Sequence, residues 1–136
     1  MNDLTSWKKF AQQTFEHRKR TLQLIGSFQR QNIIGFGASA RSSTYLNFCQ
    51  LTSVQIKGII DNNLLKQGLY TAGSNIPIIS KKNGLALNPD LLFILAWNLK
   101  DEIIDECHAA GFKGQYLVPF PENPYLMPSL KTEGVL

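Results

Sequence analysis

The sequence predicts an α/β domain in which a mainly parallel sheet has helices on both faces. Apolar runs of strand length alternate with stretches of helical spacing over most of the chain. The run Leu91–Trp97 is apolar throughout, which is typical of a strand covered on both faces. A Gly-x-Gly-x-x-Ala turn, Gly35–Ala40, joins the first strand to a helix. Right-handed crossovers then favour a doubly wound, Rossmann-like sheet of about five strands in the order 3-2-1-4-5.

Length and composition indicate one domain over residues 1–136. The chain is long enough for its own core, and 43% of its residues are hydrophobic. It contains no run of roughly 18 apolar residues and no apolar N-terminal signal. Cys49 and Cys107 are far apart in the sequence and form no Cys-x-x-Cys motif. The chain has only two histidines, His17 and His108, so no metal site is predicted. A reducing, cytoplasmic location without a membrane partner is therefore expected.

Residues 1–30 are predicted to form a long N-terminal helix, from about Leu4 to Arg30. Its apolar residues recur near helical spacing: Leu4, Trp7, Phe10, Ala11, Phe15, Leu22, Ile25 and Phe28. Much of the positive charge behind the net charge of +4 lies here. A basic helix can attract nucleic acid or an acidic protein, but the solvated face of an amphipathic helix is more common. Nucleic-acid binding is therefore not expected, whereas docking on another protein stays open.

Residues 31–120 are predicted to form the α/β core, followed by an irregular, proline-rich tail over residues 121–136. The expected strands are Asn32–Phe36, Val54–Ile60, Ile76–Ile79, Leu91–Trp97 and Gln115–Val118. The expected helices are Ala40–Leu51, a short one over Lys81–Leu87, and Lys100–Ala110. Asn98 is a candidate N-cap for the last of these helices. Residues 64–75 contain two glycines and no sustained period, which predicts an ordered loop.

The predicted site lies where the parallel strands end, because ligands bind at the carboxyl edge of such sheets. Three stretches should meet there: the turn Gly35–Ser43, the turn Asp61–Asn63 and the corner Trp97-Asn98. The candidate ligand-binding residues are Gly35, Gly37, Ala38, Ser39, Ala40, Arg41, Ser42, Ser43, Asp61, Trp97 and Asn98. No nucleophile–base pair and no paired carboxylates accompany them, so no catalytic residue is predicted.

The chemistry of these stretches favours an anionic ligand. A strand, a glycine turn and a helix start present free backbone N–H groups and the positive end of a helix dipole to a phosphate. Arg41 in the first helical turn opposes that dipole by roughly 0.3–1 kcal/mol, a penalty that a bound anion would reverse. Asp61 stands about where dinucleotide-binding folds place the carboxylate that holds a ribose. Two simpler alternatives exist. The glycine turn can serve packing alone, and Trp97 can be a half-buried core residue beside an N-cap.

Several segments together resemble a known family. They are Gly35–Arg41, Leu46–Cys49, Ile60–Asn63, Lys66-Gln67-Gly68, and the run Leu95-Ala-Trp-Asn-Leu-Lys-Asp-Glu-Ile103. The sequence from about Phe10 to Glu122 resembles the C-terminal domain of the sugar C-methyltransferases, which are S-adenosylmethionine-dependent enzymes acting on nucleotide-linked deoxysugars. The run that contains Ala-Trp-Asn and the Lys-Gln-Gly loop are the specific parts of this resemblance; the glycine turn alone is not.

The resemblance implies a Rossmann-like domain that follows a zinc-binding domain and a central methyl-donor domain. It implies that the nucleotide-sugar lies between the methyl-donor domain and this Rossmann-like domain. It implies that residues 37–43 hold the diphosphate or nucleotide, with Asn47, Trp97 and Asn98 nearby. This sequence departs from the family pattern in the turn. Ser39 replaces a usual proline, Arg41 a usual lysine, and Ser42-Ser43 a usual Gly-Asn. Arginine keeps the positive charge, and the other changes leave the identity of the ligand open.

Neither zinc-binding cysteines nor a second glycine-rich donor site is present in the sequence. No cofactor is therefore expected in this chain, and S-adenosylmethionine is expected on a separate methyltransferase domain or subunit. The leading hypothesis is a domain that binds a nucleotide-sugar or related phosphorylated ligand and is not catalytic alone. An NAD(P)-binding domain, suggested by the glycine turn with Asp61, and a docking or scaffold domain using the basic helix are the alternatives.

Overall fold

The computed structural model describes residues 3–28 and 30–129 and contains five helical segments and six strands. The helices are α1 (Asp3–Gly26), α2 (Ala40–Phe48), α3 (Lys81–Ala86) and α4 (Lys100–Ala109), and a 3₁₀ turn over Trp97–Leu99 precedes α4. The strands are β1 (Ile33–Phe36), β2 (Gly58–Ile60), β3 (Ile78–Ile79), β4 (Leu91–Ile94), β5 (Gln115–Val118) and β6 (Tyr125–Met127). Residues 130–136 of the predicted tail lie outside the described residues.

The strands form one sheet in the order β3-β2-β1-β4-β5-β6, in which all pairs are parallel except the last. The predicted α/β class and the predicted order of the first five strands are confirmed. The prediction of an irregular tail is wrong for Tyr125–Met127, which pairs antiparallel with β5. Pro124 and Pro128 flank this strand rather than interrupting it, and proline is tolerated at the ends of an edge strand.

Helices cover both faces of the sheet, as a doubly wound fold requires. On one face, apolar residues of α1 and α2, among them Ile25 and Leu46, pack against Ile33 and Phe93 of the sheet. On the other face, residues of α4 pack with alternate residues of β1, β4 and β5. Successive strand residues point to opposite faces of the sheet. Because helices cover both faces, every residue of the apolar strands β1 and β4 is buried. In the described part of the chain, no helix has the length and apolar character needed to cross a bilayer.

Strand β2 begins later than predicted, at Gly58 instead of Val54. Val54 is 77% exposed and lies in a turn in which the Ile56 N–H donates to the Thr52 carbonyl at 3.0 Å. The Gln55 side chain accepts from the Thr52 N–H at 2.9 Å and stabilises the same turn. Local side-chain bonding therefore overrides the β propensity of valine here.

Strand β4 ends earlier than predicted, at Ile94 instead of Trp97. The N–H groups of Leu95 and Ala96 both donate to the Phe36 carbonyl, at 3.0 and 3.1 Å, and this shared acceptor marks the bend at which the strand stops. The residue at the N-cap of α4 is Leu99, which makes no side-chain cap bond, so the assignment of Asn98 as N-cap is wrong.

Both cysteine thiols are buried, one in each helical layer. Burial raises the pKa of Cys49 to about 11 and the pKa of Cys107 to about 12. We therefore expect neither thiol to react appreciably with a disulfide reagent at about pH 8 in the folded protein, because the thiolate is the reactive form. Absorbance of the released thiol, compared with a denatured sample, measures this. Rapid labelling of the native chain would contradict the burial of these side chains.

Candidate functional site

The glycine turn after β1 is packed tightly against the end of β4. Gly37 has a φ of +105°, and a Cβ atom there would lie 2.6 Å from the Ala96 Cβ and 2.9 Å from the Ala96 nitrogen. Gly35 is buried in β1, where a Cβ would lie 3.0 Å from the Leu95 side chain. The turn and the corner that carries Trp97 are therefore adjacent, as predicted for the carboxyl edge of the sheet.

Serine side chains fix the start of α2. The Ser39 Oγ accepts from the Ser42 N–H at 3.1 Å and so acts as the N-cap. Ser42 is buried and donates its hydroxyl to the Gly37 carbonyl at 2.7 Å. Among the described residues, the backbone N–H groups of Ser39, Ala40 and Arg41 have no hydrogen-bond acceptor. These three donors are free to bind an anion at the positive end of the helix dipole.

Asp61 and Lys66 bind the peptide groups of Ala38 in the turn. The Asp61 Oδ2 accepts from the Ala38 N–H at 3.0 Å, and the Lys66 Nζ donates to the Ala38 carbonyl at 2.6 Å. The second carboxylate oxygen of Asp61 accepts from the Asn63 N–H at 2.8 Å. The ammonium and carboxylate are 3.9 Å apart. Both oxygens of Asp61 therefore already hold backbone donors of this chain.

Replacement of Asp61 by alanine should lower the free energy of unfolding by about 1–3 kcal/mol, because two backbone N–H groups in a half-buried turn lose their acceptor. Urea denaturation measures the change. Asp105→Ala removes the same charge from an exposed position of α4 and serves as the control. Equal stabilities for the two variants would show that the carboxylate does not hold the turn.

An aromatic cleft of about 580 Å³ opens between the start of α2, the corner after β4 and the segment after β5. The Arg41 guanidinium lies 5.8 Å from the centre of the Trp97 ring, and the rings of Trp97 and Phe120 are also 5.8 Å apart. Both contacts are made by residues that line a mostly apolar space. The lining residues are Ala40, Arg41, Ser42, Thr44, Tyr45, Phe48, Leu95, Trp97, Pro119 and Phe120.

Behind the lining of this cleft, His17 of helix α1 packs against Phe120 and Tyr45. The His17 ring stacks on Phe120 with centres 4.5 Å apart and planes at 17°, and its Nε2 lies 2.7 Å from the Tyr45 hydroxyl. Burial lowers the pKa of His17 below its usual range and raises the pKa of Tyr45 well above its usual range. Both side chains are therefore neutral near pH 7.

The structure brings together only part of the predicted site. Four predicted residues line the aromatic cleft: Ala40, Arg41, Ser42 and Trp97. The others lie outside its lining: Gly35, Gly37, Ala38, Ser39, Ser43, Asn47, Asp61 and Asn98. Of these, Asn47 donates to the Ala72 carbonyl at 3.0 Å and so ties α2 to the neighbouring loop, whereas Asn98 is exposed.

Apart from Trp97, the aromatic residues of the cleft were not predicted from the sequence as site residues. Tyr45 and Phe48 have the helical spacing of core positions, and Phe120 lies in a proline-rich segment. One signal was available, since Phe120 lies two residues after the carboxyl end of a predicted strand, Gln115–Val118, and so near the edge where ligands bind. Within the described residues, no group of three or more His, Cys, Asp or Glu side chains is placed to hold a metal ion.

Comparison with known proteins identifies the family of this chain. Residues 1–121 match the model of the C-methyltransferase C-terminal domain. The chain is also similar to the C-methyltransferase NovU of Streptomyces niveus, with 38% identity over 93 residues, which are 68% of this chain. The matched segment spans about 22% of the length of that relative. The glycine turn and the corner that carries Trp97 lie within the matched range of the family model, and this chain belongs to the C-methyltransferase C-terminal domain family.

Proposed function

We propose that this chain binds a nucleotide-linked sugar, or a related phosphorylated ligand, in the aromatic cleft and is not catalytic alone. The observation that carries the proposal is the position of Arg41. Its guanidinium lies over the Trp97 ring, in the same first turn of α2 as three free backbone N–H groups. In the described part of the chain, no carboxylate lies within ion-pair distance of it. A cation without a partner beside free N–H donors suits a phosphate group.

The two ends of such a ligand would meet different surfaces. The phosphates would accept from the free N–H groups at the start of α2 and from Arg41, which can bind two phosphate oxygens at once. The base or sugar would contact the flat faces of Trp97 and Phe120 in this mostly apolar cleft. Membership in a C-methyltransferase family supports a substrate-binding role for this arrangement.

In this proposal the methyl donor, S-adenosylmethionine, is bound by another domain or subunit of a methyltransferase. The cleft fits the donor poorly, since its lining contains one charged side chain, the cationic Arg41, and no carboxylate to face a sulfonium. A domain of this family that spans about 22% of a C-methyltransferase leaves most of that relative's chain for other functions.

A nicotinamide dinucleotide is a weaker candidate because of Asp61. A dinucleotide site uses this carboxylate to hold a ribose hydroxyl. Here both of its oxygens already accept from backbone N–H groups, of Ala38 and Asn63. Ribose binding would compete with the bonds that hold the turn.

Isothermal titration calorimetry with a nucleoside-diphosphate glucose, with uridine and thymidine forms in parallel, tests the proposal. We expect saturable binding that Arg41→Ala weakens, and no heat from NADH under the same conditions. The proposal fails if neither sugar nucleotide binds. Binding that is indifferent to Arg41 would show that the ligand occupies another place.

A docking role for α1 is the second candidate, favoured by one observation. Trp7 and Phe10 are 67% and 59% exposed and contact each other edge to face with centres 5.8 Å apart. Exposed aromatic residues beside the basic Lys8 and Lys9 are suited to an acidic protein surface. Sedimentation velocity and affinity capture of a methyltransferase subunit, each with Trp7→Ser/Phe10→Ser as control, test this role. A strict monomer that captures no partner contradicts it.

A further inference from the structure

The Phe120 ring is held between the cleft and helix α1. One face of it stacks on His17, with centres 4.5 Å apart, and the Trp97 ring lies 5.8 Å away on the cleft side. Phe120 lies two residues after the end of β5 and belongs to no helix or strand, so its backbone is not fixed by the sheet ladder. The position of this ring therefore depends on the side chains around it.

A hydrogen-bonded chain anchors His17 and Tyr45 to each other. The Tyr45 hydroxyl lies 2.7 Å from the His17 Nε2 and 2.8 Å from the hydroxyl of Thr21, which is buried. The Thr21 hydroxyl donates to the His17 carbonyl at 3.1 Å. Because the single hydroxyl proton of Thr21 is donated to the His17 carbonyl, the Tyr45 hydroxyl donates to the Thr21 oxygen. The Tyr45 oxygen then accepts from the Nε2–H of His17. The imidazole is thereby fixed in one orientation beneath Phe120.

Tyr45 also contacts Phe120 edge to face, with centres 5.1 Å apart, and lines the cleft itself. His17, by contrast, lies behind Phe120 and is not part of the cleft lining. The phosphate-binding donors of the proposed site are backbone groups of α2 and Arg41, and none of them contacts His17. The histidine can therefore influence one end of a bound ligand without touching the other.

We propose that His17 is a positioning residue that sets Phe120 against the base or sugar of the ligand, so that α1 forms part of the binding site. This inference rests on the proposed function. His17 contributes to the recognition of the organic part of a sugar nucleotide and not to the binding of its phosphates.

The test compares two probes, a nucleoside-diphosphate glucose and inorganic pyrophosphate. The chain has two tryptophans, so Trp7→Phe leaves Trp97 as the single fluorescent reporter, placed in the cleft. In this background we expect His17→Ala to weaken the binding of the sugar nucleotide about 3- to 10-fold, which is the range of an aromatic contact. The affinity for pyrophosphate should stay unchanged. His17→Phe keeps a ring to stack on Phe120 and should restore most of the affinity.

The results that would overturn the inference are distinct from those that would overturn the proposed function. Equal losses for both probes, or no loss for either, contradict positioning by His17 while leaving the phosphate site intact. If the unsubstituted background binds neither probe, the proposed function fails and the inference falls with it. Should His17→Ala not fold, Phe120→Leu removes the ring directly and should give the same selective loss.

Discussion

Replacing Arg41 with alanine should weaken the binding of a nucleoside-diphosphate sugar about 10- to 100-fold. The variant loses a charge-assisted hydrogen bond to phosphate, which contributes about 1.5–3 kcal/mol. It also loses the cation that lies 5.8 Å from the centre of the Trp97 ring. Titration calorimetry at fixed, low ionic strength measures the change, because added salt would screen it.

Two controls separate this effect from charge and from folding. Arg30→Ala removes the same charge before β1, at the opposite edge of the sheet, and should leave the affinity unchanged. Without ligand, Arg41→Ala should be as stable as the parent or slightly more stable, since a cation in the first turn opposes the helix dipole by roughly 0.3–1 kcal/mol. A destabilised variant, or equal losses of affinity for Arg30→Ala and Arg41→Ala, would refute the assignment of Arg41.

Replacing Gly37 with alanine should lower the free energy of unfolding by about 2–5 kcal/mol, the sum of backbone strain and overpacking. The φ of +105° is one that L side chains rarely adopt, and the new methyl group would lie 2.6 Å from the Ala96 Cβ. Either the turn or the corner after β4 must move to relieve this contact. Denaturant unfolding, monitored by circular dichroism, measures the loss.

The chain supplies a matched control in Gly111. Its φ is +94°, but a Cβ atom at this position would have no neighbouring atom within 4 Å, so Gly111→Ala carries the backbone strain without the contact. We expect Gly111→Ala to lower the free energy of unfolding by about 1–2 kcal/mol. If Gly37→Ala is no worse than Gly111→Ala, the turn is not packed against Ala96 as described.

The order of the first five strands could be predicted because it follows from apolar runs and crossover handedness, which are local and general. Strand β6 could not, because its pairing with β5 depends on a long-range contact in a segment whose prolines indicate irregular structure. The start of β2 was placed too early at Val54 because side-chain bonds in the preceding turn, between Thr52 and Gln55, leave no trace in hydrophobic periodicity.

Only part of the candidate site could be predicted from the sequence, because its other contacts join residues that are distant in the chain. Arg41 and Trp97 were found because each lies at or just after the carboxyl end of a predicted strand. The side chain of Asp61 was placed correctly near the turn, but its two backbone donors are a matter of atomic geometry that spacing does not reveal. The stacking of His17 on Phe120 could not be predicted, since His17 belongs to a helix that precedes the sheet and is distant from Phe120 in the sequence.

The antiparallel strand β6 has a consequence for how this domain is delimited. The family match ends at residue 121, whereas β6 spans Tyr125–Met127. A chain cut at the family boundary would leave the outer N–H and C=O groups of β5 open, next to the buried side chains of Leu117 and Val118. Unprotected edges of this kind recruit strands from other molecules and promote aggregation. Strand β6 pairs with this edge of β5, and any excised version of the domain should keep it.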